Sequence, residues 1–135
     1  MNQPLKQVTV VAAVVERADR ILCVQRQVSA KAYLSEKWEF PGGKIESGET
    51  ETEALARELN EELSMSLLIG SKLMVVNHTY PDFVLCMHVY MCTSPDEPQL
   101  HEHLSHRWLR RGELLQLDWA AADIPIARRL LEGVD

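Results

Sequence analysis

The stretch Arg57-Glu58-Leu59-Asn60-Glu61-Glu62-Leu63 sets three carboxylates within two helical turns, and Arg57 is the one cation close enough to offset them. On an isolated helix the like charges of Glu58 and Glu62, at i and i+4, repel by about 0.2–0.5 kcal/mol. Such crowding becomes useful when a divalent cation supplies the missing charge. Oxygen-only ligands suit Mg²⁺, with Mn²⁺ as a substitute, and these ions keep several waters and also bind substrate phosphates. Metals held this way clamp a phosphoanhydride and activate water at neutral pH. Just upstream, Gly42-Gly43 allows backbone to approach a ligand closely, and Lys44 is placed to meet a phosphate.

A helix must position these acids. Residues 50–63, TETEALARELNEEL, contain no Gly or Pro and open on a capping box, with Thr50 at the N-cap and Glu53 three residues on. At about 100° per residue, Leu55, Leu59 and Leu63 form an apolar stripe about 80° wide, and Glu58, Glu61 and Glu62 fall in a neighbouring arc of about 100°. A merely solvated face would lie opposite the leucines, whereas these acids sit at the seam between core and cleft. Arg57 lies four residues from both Glu53 and Glu61, so it can pair with either and fix the direction of Glu61.

Around the helix, residues 7–15 (QVTVVAAVV) read as a largely buried strand, with 21–26 as its hairpin partner. Residues 27–37 form a polar loop of the length that often borders a site, and 38–49 a structured loop broken by Pro-Gly-Gly. Two strand-like runs, 68–80 and 83–92, flank Pro81-Asp82; a polar loop over 94–105 and a short strand over 107–109 follow. Residues 112–117 and 123–133 look helical, the second amphipathic through Ile126, Leu130 and Leu131. This order predicts an α/β chain, one domain over residues 1–135, with a mixed sheet packed between helices.

The chain of 135 residues carries a net charge of −6, and residues 46–62, with seven acids against Arg57, account for all of it. The neutral remainder offers no nucleic-acid groove and no basic membrane face. No signal peptide is expected at the N-terminus, and no apolar run approaches the roughly 18 residues that span a bilayer. Cys23, Cys86 and Cys92, an odd count among strand-like residues, read as buried thiols of a reducing compartment, which predicts a cytoplasmic protein.

Gly43, five residues, Glu49, seven residues, then Arg57-Glu58-Leu59-Asn60-Glu61-Glu62-Leu63-Ser64-Met65 closely resembles the signature box of the Nudix hydrolases. That pattern runs G-x5-E-x7-R-E-U-x-E-E-x-G-U, with U a bulky aliphatic residue, and every charged position matches. Ser64 departs from it, standing where the family has a second glycine after the helix, a place where φ > 0 is common. Serine there either carries strain or lets the helix end differently; it coordinates nothing. WEFPGGKIESGE over 38–49, Gln25-Arg26, His101-Glu102-His103 and Ala122-Asp123-Ile124-Pro125 are similar to the MutT-type and CTP-pyrophosphohydrolase-type branch.

The resemblance implies a Nudix α/β/α sandwich and cleavage of a nucleoside diphosphate linked to another group. It favours a nucleoside triphosphate pyrophosphohydrolase that cleanses the nucleotide pool, acting as monomer or homodimer on a small nucleotide. Metal ligands would be Glu58, Glu61, Glu62 and the carbonyl of Gly42, and Glu49 would support Arg57 and the loop. Arg26 and Lys44 would face phosphates, and Glu102 matches a loop glutamate that closes over the metals as ligand or base. The proton acceptor is then Glu61 or Glu102. Glu39 and Asp123 match positions that line the base pocket, where ionised carboxylates accept from the exocyclic amine of cytosine. Relatives that prefer 8-oxoguanine carry asparagine five residues after the matching aspartate; here that residue is Arg128, which tilts the reading towards CTP, dCTP or modified forms over 8-oxo-dGTP. Asp123 could equally cap the C-terminal helix.

Other patterns carry less. HEHLSH (101–106) invites a zinc site, but H-E-x-x-H needs histidine at 105, which is Ser105, and there is no Cys-x-x-Cys. A solvated loop whose Glu102 matters fits better. His88, alternating with Cys86 and Tyr90, fits a satisfied half-buried histidine, and Trp38 either stacks on a base or packs at the loop root. Ser29, Ser35 and Ser47 lack a nucleophile-elbow context. Two rivals remain: hydrolysis of a nucleotide sugar or dinucleoside polyphosphate on the same fold, for which Tyr80 and Pro81 discriminate weakly, and a non-catalytic sensor, which should have lost box carboxylates that this chain keeps.

Overall fold

The structure, a computed structural model, describes residues 4–132. In chain order the elements are β1 (Lys6–Arg17), β2 (Arg20–Gln25), β3 (Trp38–Glu39), β4 (Gly42–Lys44), α1 (Glu51–Leu63), β5 (Leu68–Thr79), β6 (Phe83–Thr93), β7 (Ser105–Arg110) and α2 (Ile124–Leu131). Short 3-10 turns, Arg111–Gln116 and Ala121–Asp123, link β7 to α2.

Strand β1 is the spine. Val11 to Val15 are all buried because both faces are covered. Val11, Ala13 and Val15 pack with Leu55, Leu59 and Leu63 of α1, whereas Ala12 and Val14 share a core with Ile126, Ala127 and Leu130 of α2. Burial on both sides explains why this segment is apolar throughout instead of alternating with polar residues. The result is a mixed sheet between helices, an α/β/α sandwich.

The register places the site. β1 runs parallel to β6 from Lys6↔Phe83 to Val15↔Cys92, and β5 lies antiparallel on the far side of β6. On the other edge, β4 pairs antiparallel with β1 through Val10↔Lys44 and Ala12↔Gly42. The expected β1–β2 hairpin is short, limited to Glu16↔Ile21 and Arg17↔Arg20, because β2 leaves to pair with β3 and, along its whole length, with β7. Strand β7 therefore spans six residues where the sequence predicts three. The structured loop over 38–49 contains two short strands, and residues 112–117 lie mostly in a 3-10 turn instead of an α-helix. The last helix ends at Leu131, and Gly133, the expected end, lies outside the described residues.

The loop over 27–37 is fastened to the β5–β6 turn. Lys31 Nζ lies 2.8 Å from Asp82 Oδ2, the Tyr33 hydroxyl also donates to Asp82, and the Tyr33 ring stacks on Tyr80 at 5.1 Å between centroids. None of the described helices is long and apolar enough to cross a membrane.

A Cβ on Gly42 would lie 1.9 Å from the carbonyl oxygen of Val11, which is backbone and cannot swing aside. Gly42→Ala should therefore force β4 off β1 and destabilise the fold by about 3 kcal/mol or more. Urea unfolding checks this; a loss below about 1 kcal/mol would show that β4 shifts freely.

Candidate active site

Helix α1 starts on the expected capping box: the Glu53 N–H donates to Thr50 Oγ1 (3.2 Å) and the Thr50 N–H to Glu53 Oε1 (2.9 Å). Glu53 is thus spent on the cap, and Arg57 turns to other acids. Its Nε and Nη2 grip Glu49 at 2.7 and 2.9 Å, and Nη2 also donates to the Lys44 carbonyl at 3.0 Å. Its Nη1 donates to Glu58 Oε1 at 2.9 Å and to Glu61 Oε2 at 3.2 Å. The fork holds Glu49 below the usual carboxylate range, and Glu49 in turn ties the loop by accepting from the Glu46 N–H at 2.8 Å.

The glycines admit this arrangement through space, not through unusual φ. A Cβ on Gly43 would lie 2.4 Å from Glu58 Cδ, so the Glu58 carboxylate rests directly on the β4 backbone. Glu62 lies against Glu58, half-buried. Burial first, then the charge of Glu58, pushes the Glu62 carboxyl up to about 8; Glu39 and Glu102 add to this.

Arg57 draws Glu61 and one oxygen of Glu58 to itself, and among the described residues no three His, Cys, Asp or Glu side chains converge as a ready metal cage. The donor chemistry still fits a hard divalent cation. Glu58 and Glu62 crowd together without a dedicated cation for Glu62, and Glu61, 58% exposed, is held at only 3.2 Å and is the carboxylate freest to leave Arg57.

A second group forms beside the first. Arg26 Nη1 donates to Glu39 Oε1 (2.9 Å), and His103 Nε2 donates to Glu39 Oε2 (3.0 Å). Arg26 Nε and His103 Nδ1 are buried without a hydrogen-bond partner among the described residues. Asp123 is 6% exposed, and its Oδ1 accepts the Phe40 N–H at 3.0 Å instead of capping α2. Burial, then the charge of Glu39, pushes the Asp123 carboxyl well above its ordinary range. The Tyr80 hydroxyl accepts the Ala122 N–H at 3.0 Å next door. Lys44 and Glu102 are exposed, and neither side chain forms an ion pair among the described residues.

The sequence-derived residues thus fall into two adjoining groups, Arg57 with Glu49, Glu58, Glu61 and Glu62, and Glu39 with Arg26 and Asp123. His103 and Tyr80 were missed as members. Only the His-Glu-His spacing hinted at His103, and Tyr80, marked in the sequence only as a weak discriminator beside Pro81, reaches Asp123's neighbour across 42 residues of chain.

The NUDIX domain model matches residues 5–130. The chain is 38% identical over 125 residues to the CTP pyrophosphohydrolase of Escherichia coli (strain K12), covering 90% of each. It is 35% identical over 125 residues to the putative 8-oxo-dGTP diphosphatase 2 of Mycobacterium tuberculosis (strain ATCC 25618 / H37Rv), covering 88% of this chain and 84% of that one. The solution structure of the E. coli ORF135 protein superposes with a TM-score of 0.80 at 32% identity, covering 97% and 96% of the two chains. Fold, box and relatives define a hydrolase acting on phosphoanhydride bonds, a class that generally depends on divalent metal. The chain belongs to the Nudix family.

Glu62 yields a pH test. Its folded pKa, about 8, lies above that of an unfolded glutamate, so the folded state binds the extra proton between about pH 4.5 and 8. Stability in EDTA should therefore fall as pH rises from 5 to 8.5. Glu62→Gln should flatten that slope and leave the protein at least as stable as the parent at pH 8.5. Thermal melts at both pH values check this, and an unchanged slope in the variant would remove Glu62 as its source.

Proposed function

We propose that the protein is a Mg²⁺-dependent nucleoside triphosphate pyrophosphohydrolase that converts a (d)NTP and water into the monophosphate and pyrophosphate, favouring a cytosine base. The observation that carries the base preference is the Glu39–Asp123 pair: Glu39 is separated from Gly42-Gly43 by Phe40 and Pro41 alone, and Asp123 accepts the Phe40 N–H. Glu58, Glu61, Glu62 and the Gly42 carbonyl would hold the ion, which polarises a phosphoryl oxygen and eases ionisation of water. Lys44, exposed and without an ion pair among the described residues, would meet the phosphates, and so would Arg26, which is bonded to Glu39. Glu102 accepts the proton of the attacking water, because Glu61 is engaged by Arg57 and Glu102 is not.

At the base, Glu39 is fixed by Arg26 and His103 and keeps lone pairs free to accept, whereas Asp123 is driven towards its neutral, donating form. An acceptor beside a donor matches the amine and ring nitrogen of cytosine, and uracil presents the reverse order. Adenine has the same order as cytosine; likeness to a CTP pyrophosphohydrolase favours cytosine. 8-Oxo-dGTP, named for the M. tuberculosis relative, is the next candidate, and removal of damaged or surplus triphosphates is the role either substrate serves. Three free cysteines, Cys23 and Cys92 buried and Cys86 half-buried, support a reducing, cytoplasmic location.

Pyrophosphate release across normal and oxidised (d)NTPs with Mg²⁺ tests the reading directly. Asp123→Ala should lower the kcat/KM ratio of dCTP to dUTP by about tenfold or more, because a bonded pair is lost, and should cost about 1–3 kcal/mol through the orphaned Phe40 N–H. Asp123→Asn, which keeps an acceptor for Phe40 and a donor for the base, should preserve most of the ratio. A ratio unmoved by the alanine would make Asp123 structural and end the cytosine preference. Glu102→Ala should reduce kcat by about 100-fold or more while Mn²⁺ binding to the free protein barely changes; equal losses would make Glu102 a resident ligand instead.

A further inference from the structure

The one departure from the signature box has a partner. Ser64 sits in the left-handed region (φ 52°, ψ 39°) and closes α1: its N–H donates to Asn60 O at 3.0 Å, and the Met65 N–H to Leu59 O at 3.2 Å. This is the backbone path glycine adopts freely and serine adopts under strain. What serine adds is a hydroxyl, and Ser64 Oγ shares a hydrogen bond of 2.7 Å with His101 Nε2. A second tie joins the same two segments, as the Gln99 N–H donates to the Leu63 carbonyl at 2.9 Å. On the other side of Glu102, His103 is bound to Glu39 at 3.0 Å. Glu102 is thus the unbound residue between two anchored histidines, one tied to the end of the metal-site helix and one to the base side.

We propose that Ser64 is a positioning residue: its hydroxyl, through His101, holds the loop that presents Glu102 over the acidic helix, so the strained serine does work that glycine cannot. The inference rests on the catalytic reading of Glu102 given above. It explains the His-Glu-His pattern without a metal, the histidines serving as staples on either side of the acid.

Ser64→Gly tests it because the two consequences have opposite signs. Relief of the left-handed strain should raise Tm by about 2–5 °C. Loss of the hydroxyl should lower kcat for dCTP with Mg²⁺ by about two- to tenfold, the weight of one exposed hydrogen bond, with KM little changed. Amide hydrogen exchange at residues 99–103 should quicken. His101→Ala should lower kcat by a similar factor, and adding it to Ser64→Gly should lower kcat no further. In a Glu102→Ala background Ser64→Gly should no longer affect turnover. Full activity in Ser64→Gly while Glu102→Ala is crippled would overturn the inference, as would unchanged exchange in the loop or an undiminished effect without Glu102. Full activity in Glu102→Ala would instead fell the reading of Glu102 itself.

Discussion

Arg57 is the interaction on which the acidic site depends. One guanidinium serves Glu49, Glu58, Glu61 and the carbonyl of Lys44, and without it helix α1 would present uncompensated carboxylates to a loop bearing two more, Glu46 and Glu49. Its planar fork suits this duty in a way an ammonium could not, since two nitrogens engage Glu49 side by side while the third points along the helix. The arrangement separates labour among chemically identical groups. Glu49 is committed to structure, Glu58 is half committed, Glu61 is lightly held, and Glu62 has no cation among the described residues. A gradient of commitment across four glutamates lets the helix be held firmly while leaving carboxylates unspent.

The neighbouring group around Glu39 follows the same logic with different means. Glu39 is held by Arg26 and His103, and its charge together with burial biases Asp123 towards the neutral acid. Two carboxyl groups of similar intrinsic acidity are thereby pushed into opposite hydrogen-bonding roles. Both sides hang on the short run from Trp38 to Lys44, whose strands β3 and β4 belong to different neighbours, β2 and β1. The acidic group and the Glu39–Asp123 group are therefore both positioned by one stretch of seven residues.

Much of this was legible in the sequence. The helix, its capping box and its leucine stripe followed from spacing alone, and the apolar run of β1 announced a largely buried strand. What stayed hidden depends on long-range partners. Strand β7 gained three residues because β2 turned to meet it, and β2 did so because β4 already occupies that edge of β1. Asp123 before Ile124-Pro125 had the local pattern of a helix cap, yet its side chain serves Phe40, 83 residues away. The histidines flanking Glu102 resembled an ordinary polar loop because Ser64 and Glu39, their partners, lie 37 and 64 residues distant. Local chemistry was visible wherever the partner lay within a helical turn, and invisible where the sheet brought it.

The parallel pairing of β1 with β6 has a consequence for how the molecule comes into being. During synthesis the whole acidic box, ending at Met65, emerges before residue 83, the first residue of β6, the strand that lies parallel beside β1. Until β6 arrives, one edge of β1 stays unpaired, and until β7 arrives β2 lacks its main neighbour. Contacts this distant in sequence form late, since loop closure precedes their reward. A nascent chain thus carries every box carboxylate before the sheet that seats α1 is complete, with apolar strand edges open to other chains. The sheet is complete only once β7, which ends at Arg110, has followed β6 from the ribosome.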